Sequence, residues 1–414
     1  MSELERERLV GLDIGTTKVT CVAAVVNDFG ALEIIGVGNS PSRGIARGAV
    51  TNMEEAKASI VKAADECRRM AGCRIDDVYV GIAGGNIVSF NSHGLVAVRD
   101  KAGKLVAEDD KRRAIEAAET VNIPQGRVIV QSIPQAYKVD DTDGILDPLN
   151  MVGVRLEVKV HVITAAVNAY QNIVNCVTDA DLSLREMILE SLASAEAVLT
   201  PQEMDVGAAV LDIGGGTTDI AIFLDGAVKH SAVVPEGGDN FTQDLALGLR
   251  TSLETAERHK VARGALRPDL LGPEPLIIPS LGGVPGEVPP ELFCGILEKR
   301  AARILEAAGE EFEKSGMDSD VHEVVLTGGS SLLPGLADLA RRILNRGVRL
   351  GGPLMDGALG NMVNDPRYST AIGLLLYGLR NDRELRETPA RGARGEPGVF
   401  GRVWRGFRRF FAGD

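Results

Sequence analysis

The chain has 414 residues, 44% of them apolar and 25% charged, and a formal net charge of -13. These proportions describe a soluble globular protein of two or more domains with a large core and exclude an intrinsically disordered chain. The acidic balance excludes a surface built to wrap a polyanion, so no nucleic-acid partner is expected.

Five scattered cysteines (Cys21, Cys67, Cys73, Cys176 and Cys294) contain no Cys-x-x-Cys pair and read as small core residues of a reducing compartment. The charged N-terminal stretch leads straight into a strand, and no segment approaches about 18 uncharged apolar residues. A cytoplasmic protein is therefore expected. The five histidines, His93, His161, His230, His259 and His322, are spread too widely to suggest a metal site or a triad.

In chain order, residues 9–37 alternate β-branched and apolar positions around two breaks and predict three antiparallel strands. A helix follows over 52–72, with Asn52 and Glu55 as its cap, Gly72 as its stop and Ala56, Ile60, Ala63, Ala64, Cys67 and Met70 on one face. A strand is predicted at 78–82. Residues 84–163 then change pattern to strand, helix, strand, strand (88–98, 108–121, 128–133 and the alternation from Val154 to Val162), the signature of an inserted α+β subdomain. A helix over 169–180, a strand at 187–189 and an Ala-rich helix over 192–199 lead to Pro201.

There the opening pattern begins again. Strands at 208–213, 220–224 and 228–234 surround a Gly-rich turn and an Asp225-Gly226 hairpin signal. Residues 263–290 are rich in Pro and Gly and read as a surface excursion before a helix over 291–316. A buried strand, the Gly328-Gly329 pair and a helix with Pro334 in its first turn come next. Residues 381–397 hold one large apolar residue, Leu385, among many charges, and read as a flexible linker.

The two Gly- and Thr-rich turns carry the chemistry. A tight turn of this composition aims consecutive N–H groups and hydroxyls at one point, which suits phosphate oxygens. Asp13 and Asp212, each at a strand end, would face a Mg ion bridging those phosphates, with water between because Mg dehydrates reluctantly. Lys18 would neutralise phosphate charge. Duplication of the turn implies two similar domains facing a cleft. No Gly-x-x-x-x-Gly-Lys-Ser/Thr occurs, so this is not a Walker A loop.

The last residues form a separate unit. On a helical wheel Val399, Phe400, Val403, Trp404, Phe407, Phe410 and Phe411 fall within about 140 degrees, and Arg402, Arg405, Arg408 and Arg409 fill the opposite side. That pattern describes an interfacial helix lying on anionic membrane lipid and too short to span it.

The three Gly-rich elements together resemble the phosphate-1, phosphate-2 and adenosine motifs of the actin, heat-shock chaperone and sugar kinase superfamily. Within it, residues 36–48 (GVGNSPSRGIARG), 79–94 (YVGIAGGNIVSFNSHG), 154–162 (VRLEVKVHV) and 193–199 (ASAEAVL) resemble the bacterial cell-division FtsA family. The resemblance extends over residues 9 to about 380 and resumes in the tail.

It implies an α/β, actin-like duplicated two-domain fold. Subdomain 1A would comprise 1–83, 164–199 and 361–380, with the 1C subdomain inserted at 84–163. Subdomain 2A would comprise 200–225 and 296–360, and subdomain 2B 226–295. By the same resemblance Gly15, Thr16, Thr17 and Lys18 match phosphate 1. Gly214, Gly215, Gly216, Thr217 and Thr218 match phosphate 2, with Gly237 and Gly238 near the terminal phosphate. Gly328, Gly329 and Ser330 match the adenosine motif, and Glu257 and Lys260 would meet the nucleoside. Glu190 stands where relatives position the attacking water, but Ser191 replaces their usual Pro, which leaves hydrolysis open.

The implied cofactors are ATP and Mg. The implied partners are the C-terminal peptide of FtsZ, further copies of the chain in a filament, and downstream divisome membrane proteins at the cytoplasmic face of the division site. Subdomain 2B and the neighbouring helix would hold the FtsZ peptide, with Lys299, Arg300 and Arg303 supplying positive charge. Two other readings stay open, a small-molecule kinase of the superfamily and a PilM-type pilus-assembly adaptor. The kinase has no use for the amphipathic tail, and the PilM type lacks it.

Overall fold

The computed structural model describes residues 8–99, 104–120, 123–272, 274–282 and 285–387, the last six by backbone course alone. The amphipathic segment and its contacts therefore lie outside the described residues.

The first half opens with β1 (Arg8–Ile14), β2 (Lys18–Val26) and β3 (Leu32–Pro41), antiparallel as expected, and a short hairpin of β4 (Ile45–Ala46) and β5 (Ala49–Val50). Helix α1 (Met53–Ala71) follows. The Asn52 side chain accepts the Glu55 N–H, and Gly72 closes the helix in the left-handed region. Strand β6 (Asp77–Ile82) returns parallel to β1.

The insertion then builds its own sheet from β7 (Ile87–Ala97), β8 (Arg127–Val139), β9 (Thr142–Ile145) and β10 (Arg155–Ala166), in the order β7-β10-β8-β9, covered by α2 (Glu108–Glu119). Leu156, Val158, Val160 and Val162 of β10 face Ala114 and Ala118 of α2, which is why strict alternation marked this strand. The short strand β9 carries Gly144 and only one large apolar residue, and periodicity gave no sign of it.

The chain re-enters the first sheet through α3 (Val167–Asp179), β11 (Ser183–Leu189) and α4 (Glu190–Val198), completing the order β3-β2-β1-β6-β11. After α5 (Pro201–Val206), the second half repeats the plan. Its sheet joins β12 (Ala208–Ile213), β13 (Thr218–Leu224), β14 (Ala227–Val234), β17 (Glu323–Thr327) and β18 (Gly347–Leu350) in the order β14-β13-β12-β17-β18. In both sheets three antiparallel strands precede parallel returns. The boundary expected after residue 225 falls inside this sheet, because β14 is its outer strand.

Around the second sheet lie α6 (Gly238–Leu249), α7 (Leu253–Arg263), the hairpin β15 (Leu276–Pro279) and β16 (Pro285–Val288), α8 (Pro290–Ser315) and α9 (Leu336–Leu344). The hairpin corrects the surface excursion read from the sequence, since Leu276 and Ile278 are buried against the α8 core. Pro334 precedes α9 rather than entering its first turn, and Gly335 forms the N-cap.

The last elements, α10 (Ala358–Val363) and α11 (Ser369–Glu387), return to the first half. Helix α11 continues to Glu387 and absorbs the start of the expected linker. Residues 382–387 (DRELRE) are mostly good helix formers, and no Pro intervenes before Pro389. No helix among the described residues is long and apolar enough to cross a membrane.

Helix α4 lies between the halves and packs on both. Ala193 faces α11, whereas Leu192, Ala195 and Val198 meet Ala208, Val210 and Val325 of the second sheet. The inserted sheet leans on β14 through polar groups. Ser89 Oγ donates to the Ser231 carbonyl (2.8 Å), Asn91 Nδ2 to Lys229 (3.0 Å) and Gln135 Nε2 to Val228 (2.7 Å).

His161 is buried in this junction, its Nδ1 2.7 Å from Asn91 Oδ1 and its Nε2 2.9 Å from Ser231 Oγ. Asn91 Oδ1 is an acceptor, so the proton belongs on Nδ1 and the Ser231 hydroxyl donates to Nε2. Burial, reinforced by neighbouring His230, pushes the imidazole from 6.5 down to about 4. The unfolded chain takes up this proton at higher pH than the folded one, so the stability contribution is complete above about 6.5 and is lost as pH falls toward 4. The loss amounts to about 3 kcal/mol by pH 4. His161→Gln should therefore show a smaller fall in melting temperature between pH 7 and 5 than the parent chain. An equal fall would assign the acid sensitivity to other groups.

Candidate functional site

The parallel returns leave the ends of β1 and β12 facing one another across a cleft of about 450 Å³. The turn Gly15-Thr16-Thr17 joins β1 to β2, and Gly214-Gly215-Gly216-Thr217 joins β12 to β13. They stand so close that a Cβ on Gly215 would overlap Thr17 Oγ1, and one on Gly216 would lie 2.6 Å from Thr16 Oγ1. Glycine at both positions leaves room for the threonine side chains of the first turn.

The start of α6 receives the second turn, with Gly238 N–H donating to Gly214 O (2.9 Å) and Asp239 N–H to Gly215 O (2.7 Å). Gly237 packs beneath, where a Cβ would lie 2.8 Å from Gly214 O, and Thr218 Oγ1 donates to the Glu236 carbonyl. These two residues support the turn from behind. After β17, Gly328 adopts φ 82° and Ser330 Oγ donates to Gly214 O at 3.0 Å, which ties the third Gly-rich element to the second.

At the far wall Lys260 Nζ bonds the Gly238 carbonyl and Thr242 Oγ1, each at 2.9 Å, and pairs with Glu257 at 2.7 Å. Thr242 Oγ1 donates to Glu257 as well. Val261, Leu332, Leu333 and Pro334 add apolar surface beside them. A cleft with backbone donors and hydroxyls at one end and a flat apolar wall at the other is chemically suited to a phosphorylated ring compound.

The cleft floor is strongly acidic. Asp13, Asp212, Asp219 and Glu190 converge with Lys18 as the ammonium among them. Burial, opposed by Lys18 and reinforced by Asp212, pushes Asp13 up to about 7. Burial also lifts Asp219 to about 7, against the hydrogen bond from Thr217 Oγ1 (2.8 Å) and with help from Asp212 and Asp13. The second oxygen of Asp219 is buried without a partner. Burial and the three aspartates hold Glu190 well above the usual carboxylate range.

Lys18 itself is pushed down, mainly by burial. Its Nζ donates to the Arg367 carbonyl (2.8 Å) and lies 3.9 Å over the Tyr368 ring. This surplus of desolvated carboxylates, with one buried oxygen unpaired, fits a divalent cation. Among the described residues no three carboxylate, imidazole or thiol groups are close enough to chelate a metal directly. A Mg ion would thus be held by Asp13, Asp212 and Asp219 through water, and when bound it would offset phosphate charge.

The fold brings together these residues that the sequence reading singled out: Asp13 to Lys18, Glu190, Asp212 to Thr218, Gly237, Gly238, Glu257, Lys260 and Gly328 to Ser330. It adds Asp219, Arg367 and Thr370. Asp219 ends the phosphate-2 motif and its position there was the available signal. The other two stand before and within α11, outside any motif.

The proposed partner cations on α8 divide differently. Arg300 is consumed internally, bonding Asp244 (2.7 and 3.0 Å) and Glu236 (2.5 Å). That corrects its expected availability to a partner. Arg303 pairs with Glu236 at 2.8 Å but remains two-thirds exposed, and Lys299 is exposed. The amphipathic residues from Phe400 to Phe411 lie outside the described residues.

Two halves of one strand plan, facing a cleft through paired Gly-Thr turns, define an actin-like protein. The family model for cell division protein FtsA matches residues 209–373, and that for the SHS2 domain inserted in FtsA matches residues 84–164. The cell division protein FtsA of Pseudomonas aeruginosa is 44% identical over 91% of this chain and 90% of its own length, and that of Escherichia coli K12 is 35% identical over 90% and 91%. The chain belongs to the FtsA family of cell-division proteins.

Among solved structures, the PilM-PilN type IV pilus biogenesis complex aligns with TM-score 0.65 at 18% identity, covering 90% of this chain and 99% of that one. MreB5 of Spiroplasma citri bound to ADP aligns with TM-score 0.55 at 14% identity, covering 92% and 99%. These likenesses show the fold.

Proposed function

We propose that the chain is an ATP-binding, filament-forming adaptor of bacterial cell division. It tethers FtsZ to the cytoplasmic face of the membrane and connects it to downstream divisome membrane proteins. The observation that carries this reading is family membership over nine-tenths of the chain, joined to a terminal segment with an aromatic face and an arginine face. Binding of Mg-ATP in the cleft rests on the facing turns and the acidic floor. MreB5 of Spiroplasma citri, which shares the fold, has been solved with ADP and with AMPPNP.

The test is co-sedimentation of FtsZ with anionic vesicles. Pelleting of FtsZ should require both this chain and the FtsZ C-terminal peptide, and vesicles pelleting equal FtsZ without the chain would overturn the tether. Of the three α8 cations, Lys299 and Arg303 remain the contact candidates. Reversing both to Glu should weaken capture of the peptide about tenfold, in line with loss of charge pairs at an interface rim. Undiminished capture would move the peptide site off α8.

Glu190 is the group we assign to orienting water against the terminal phosphate, in a weak ATPase. Glu190→Gln should keep ATP affinity within about twofold and lower phosphate release at least about a hundredfold. Release at the parent rate would remove Glu190 from that role.

A further inference from the structure

Asp212 belongs to the second half of the molecule, yet two hydroxyls of the first half hold it. Ser194 Oγ on α4 donates to Asp212 Oδ2 at 2.5 Å. Thr370 Oγ1, in the first turn of α11, donates to the same oxygen at 3.1 Å. The hydroxyls are 3.0 Å apart, so the two side chains and the carboxylate form one hydrogen-bonded cluster. Beside them Ser369 Oγ lies 2.7 Å from Thr327 Oγ1 at the end of β17. All five side chains are buried.

Helices α4 and α11 carry these hydroxyls, so the Asp212 side chain is fixed from the first half rather than by its own sheet. Binding both hydroxyls at Oδ2 leaves Oδ1, beside Gly328, for the cleft. A carboxylate receiving the water of a bound cation works best when its other oxygen is held in place, because ligand orientation is set by such outer partners. Neither hydroxyl has another evident duty, and a buried Ser or Thr placed only for packing would not need to converge on one oxygen.

We propose that Ser194 and Thr370 are positioning residues that set the divalent-cation requirement of nucleotide binding by fixing Asp212. This rests on the Mg-ATP reading of the cleft. ATP binding by the full-length chain, followed by calorimetry over a Mg2+ series and in EDTA, tests it. Thr370→Val keeps the shape and removes the hydroxyl, and Ser194→Ala removes one oxygen. Each should raise the Mg2+ concentration for half-maximal ATP binding about tenfold, a loss larger than any in EDTA. Thr370→Ser keeps the hydroxyl and should restore the parent value.

An unchanged Mg2+ midpoint in Thr370→Val would overturn the inference. So would equal losses with and without Mg2+, or Thr370→Ser behaving like Thr370→Val, which would assign the position to packing. If Ser194→Ala melts early, the Thr370 pair decides alone. A parent chain that binds no ATP at any Mg2+ concentration refutes the nucleotide reading itself. One that binds ATP equally well in EDTA refutes only the cation role and this inference with it.

Discussion

Replacing Gly329 by Phe should weaken ATP binding at least a hundredfold, about 2.7 kcal/mol, without lowering the melting temperature. Gly329 lines the cleft, and a Cβ there meets nothing closer than Arg367 Cγ at 3.6 Å, an ordinary contact. It is not among the residues with positive φ, so its backbone accepts a side chain without strain. A phenyl group would instead fill the space beside Ser330 that the adenosine assignment reserves for the ligand.

Gly328 makes the contrast. Its φ is 82°, and a Cβ would overlap Asp212 Oδ1 and lie 2.7 Å from Ile213 O, so any substitution there disturbs the fold before it reports on the ligand. Calorimetry showing undiminished ATP affinity in Gly329→Phe would sink the assignment of this element to the nucleoside.

Much of this site was readable because its residues sit in short motifs whose geometry is local. A strand, a Gly-Thr turn and a second strand give the same backbone wherever they occur, and the same order twice gave the duplicated halves. Helix α1 was equally readable because Asn52, Glu55 and Gly72 act within one or two turns of themselves. The missing pieces depend on distant partners. Thr370 reaches Asp212 across 158 residues, and nothing near Thr370 in the chain announces it.

The hairpin β15–β16 escaped notice because Pro279, Gly282, Pro285 and Gly286 read as loop punctuation, while the alternation of Leu276 and Ile278 is too short to stand out. Arg300 read as a free cation since Glu236 and Asp244 approach it only when α6 and α8 pack together. Charge on a helix face is local information, but whether that charge is already neutralised is not.

The acidic floor is shared between the two halves. Three buried aspartates and the half-buried Glu190 around one lysine repel each other, and the raised values of Asp13, Asp219 and Glu190 reflect that repulsion together with desolvation. A Mg-nucleotide would relieve it, and because Asp13 comes from one half and Asp212 and Asp219 from the other, the relief would draw the halves together. Copies carrying ligand would then share one arrangement of the halves, which favours regular self-association. Under the proposed function, polymerisation would multiply membrane contacts through effective concentration, so that a tail of modest affinity would suffice.

Changing Trp404 and Phe407 together to Glu should abolish pelleting with anionic vesicles while leaving ATP binding intact. Residues 398–412 are too few to be helical in water, and Gly401 and Gly406 each cost about 1 kcal/mol against Ala. In the proposed membrane reading, lipid would therefore supply the helix. Each arginine of the polar face contributes roughly 1 kcal/mol beside anionic headgroups, and each large aromatic side chain about 2–3 kcal/mol on burial. The double change removes two such anchors and sets two carboxylates against a negative surface, a loss of about 5 kcal/mol or more than a thousandfold.

Trp404 is the only tryptophan of the chain, so the parent protein reports its own insertion. Its emission should shift to the blue with anionic vesicles and much less with neutral ones. The described fold ends with α11 at Glu387, and in the sequence the Pro- and Gly-containing stretch 388–397 stands between that helix and these residues. Loss of ATP binding together with pelleting would mean that the segment packs on the core. Pelleting that survives the double change would place the membrane contact elsewhere in the molecule.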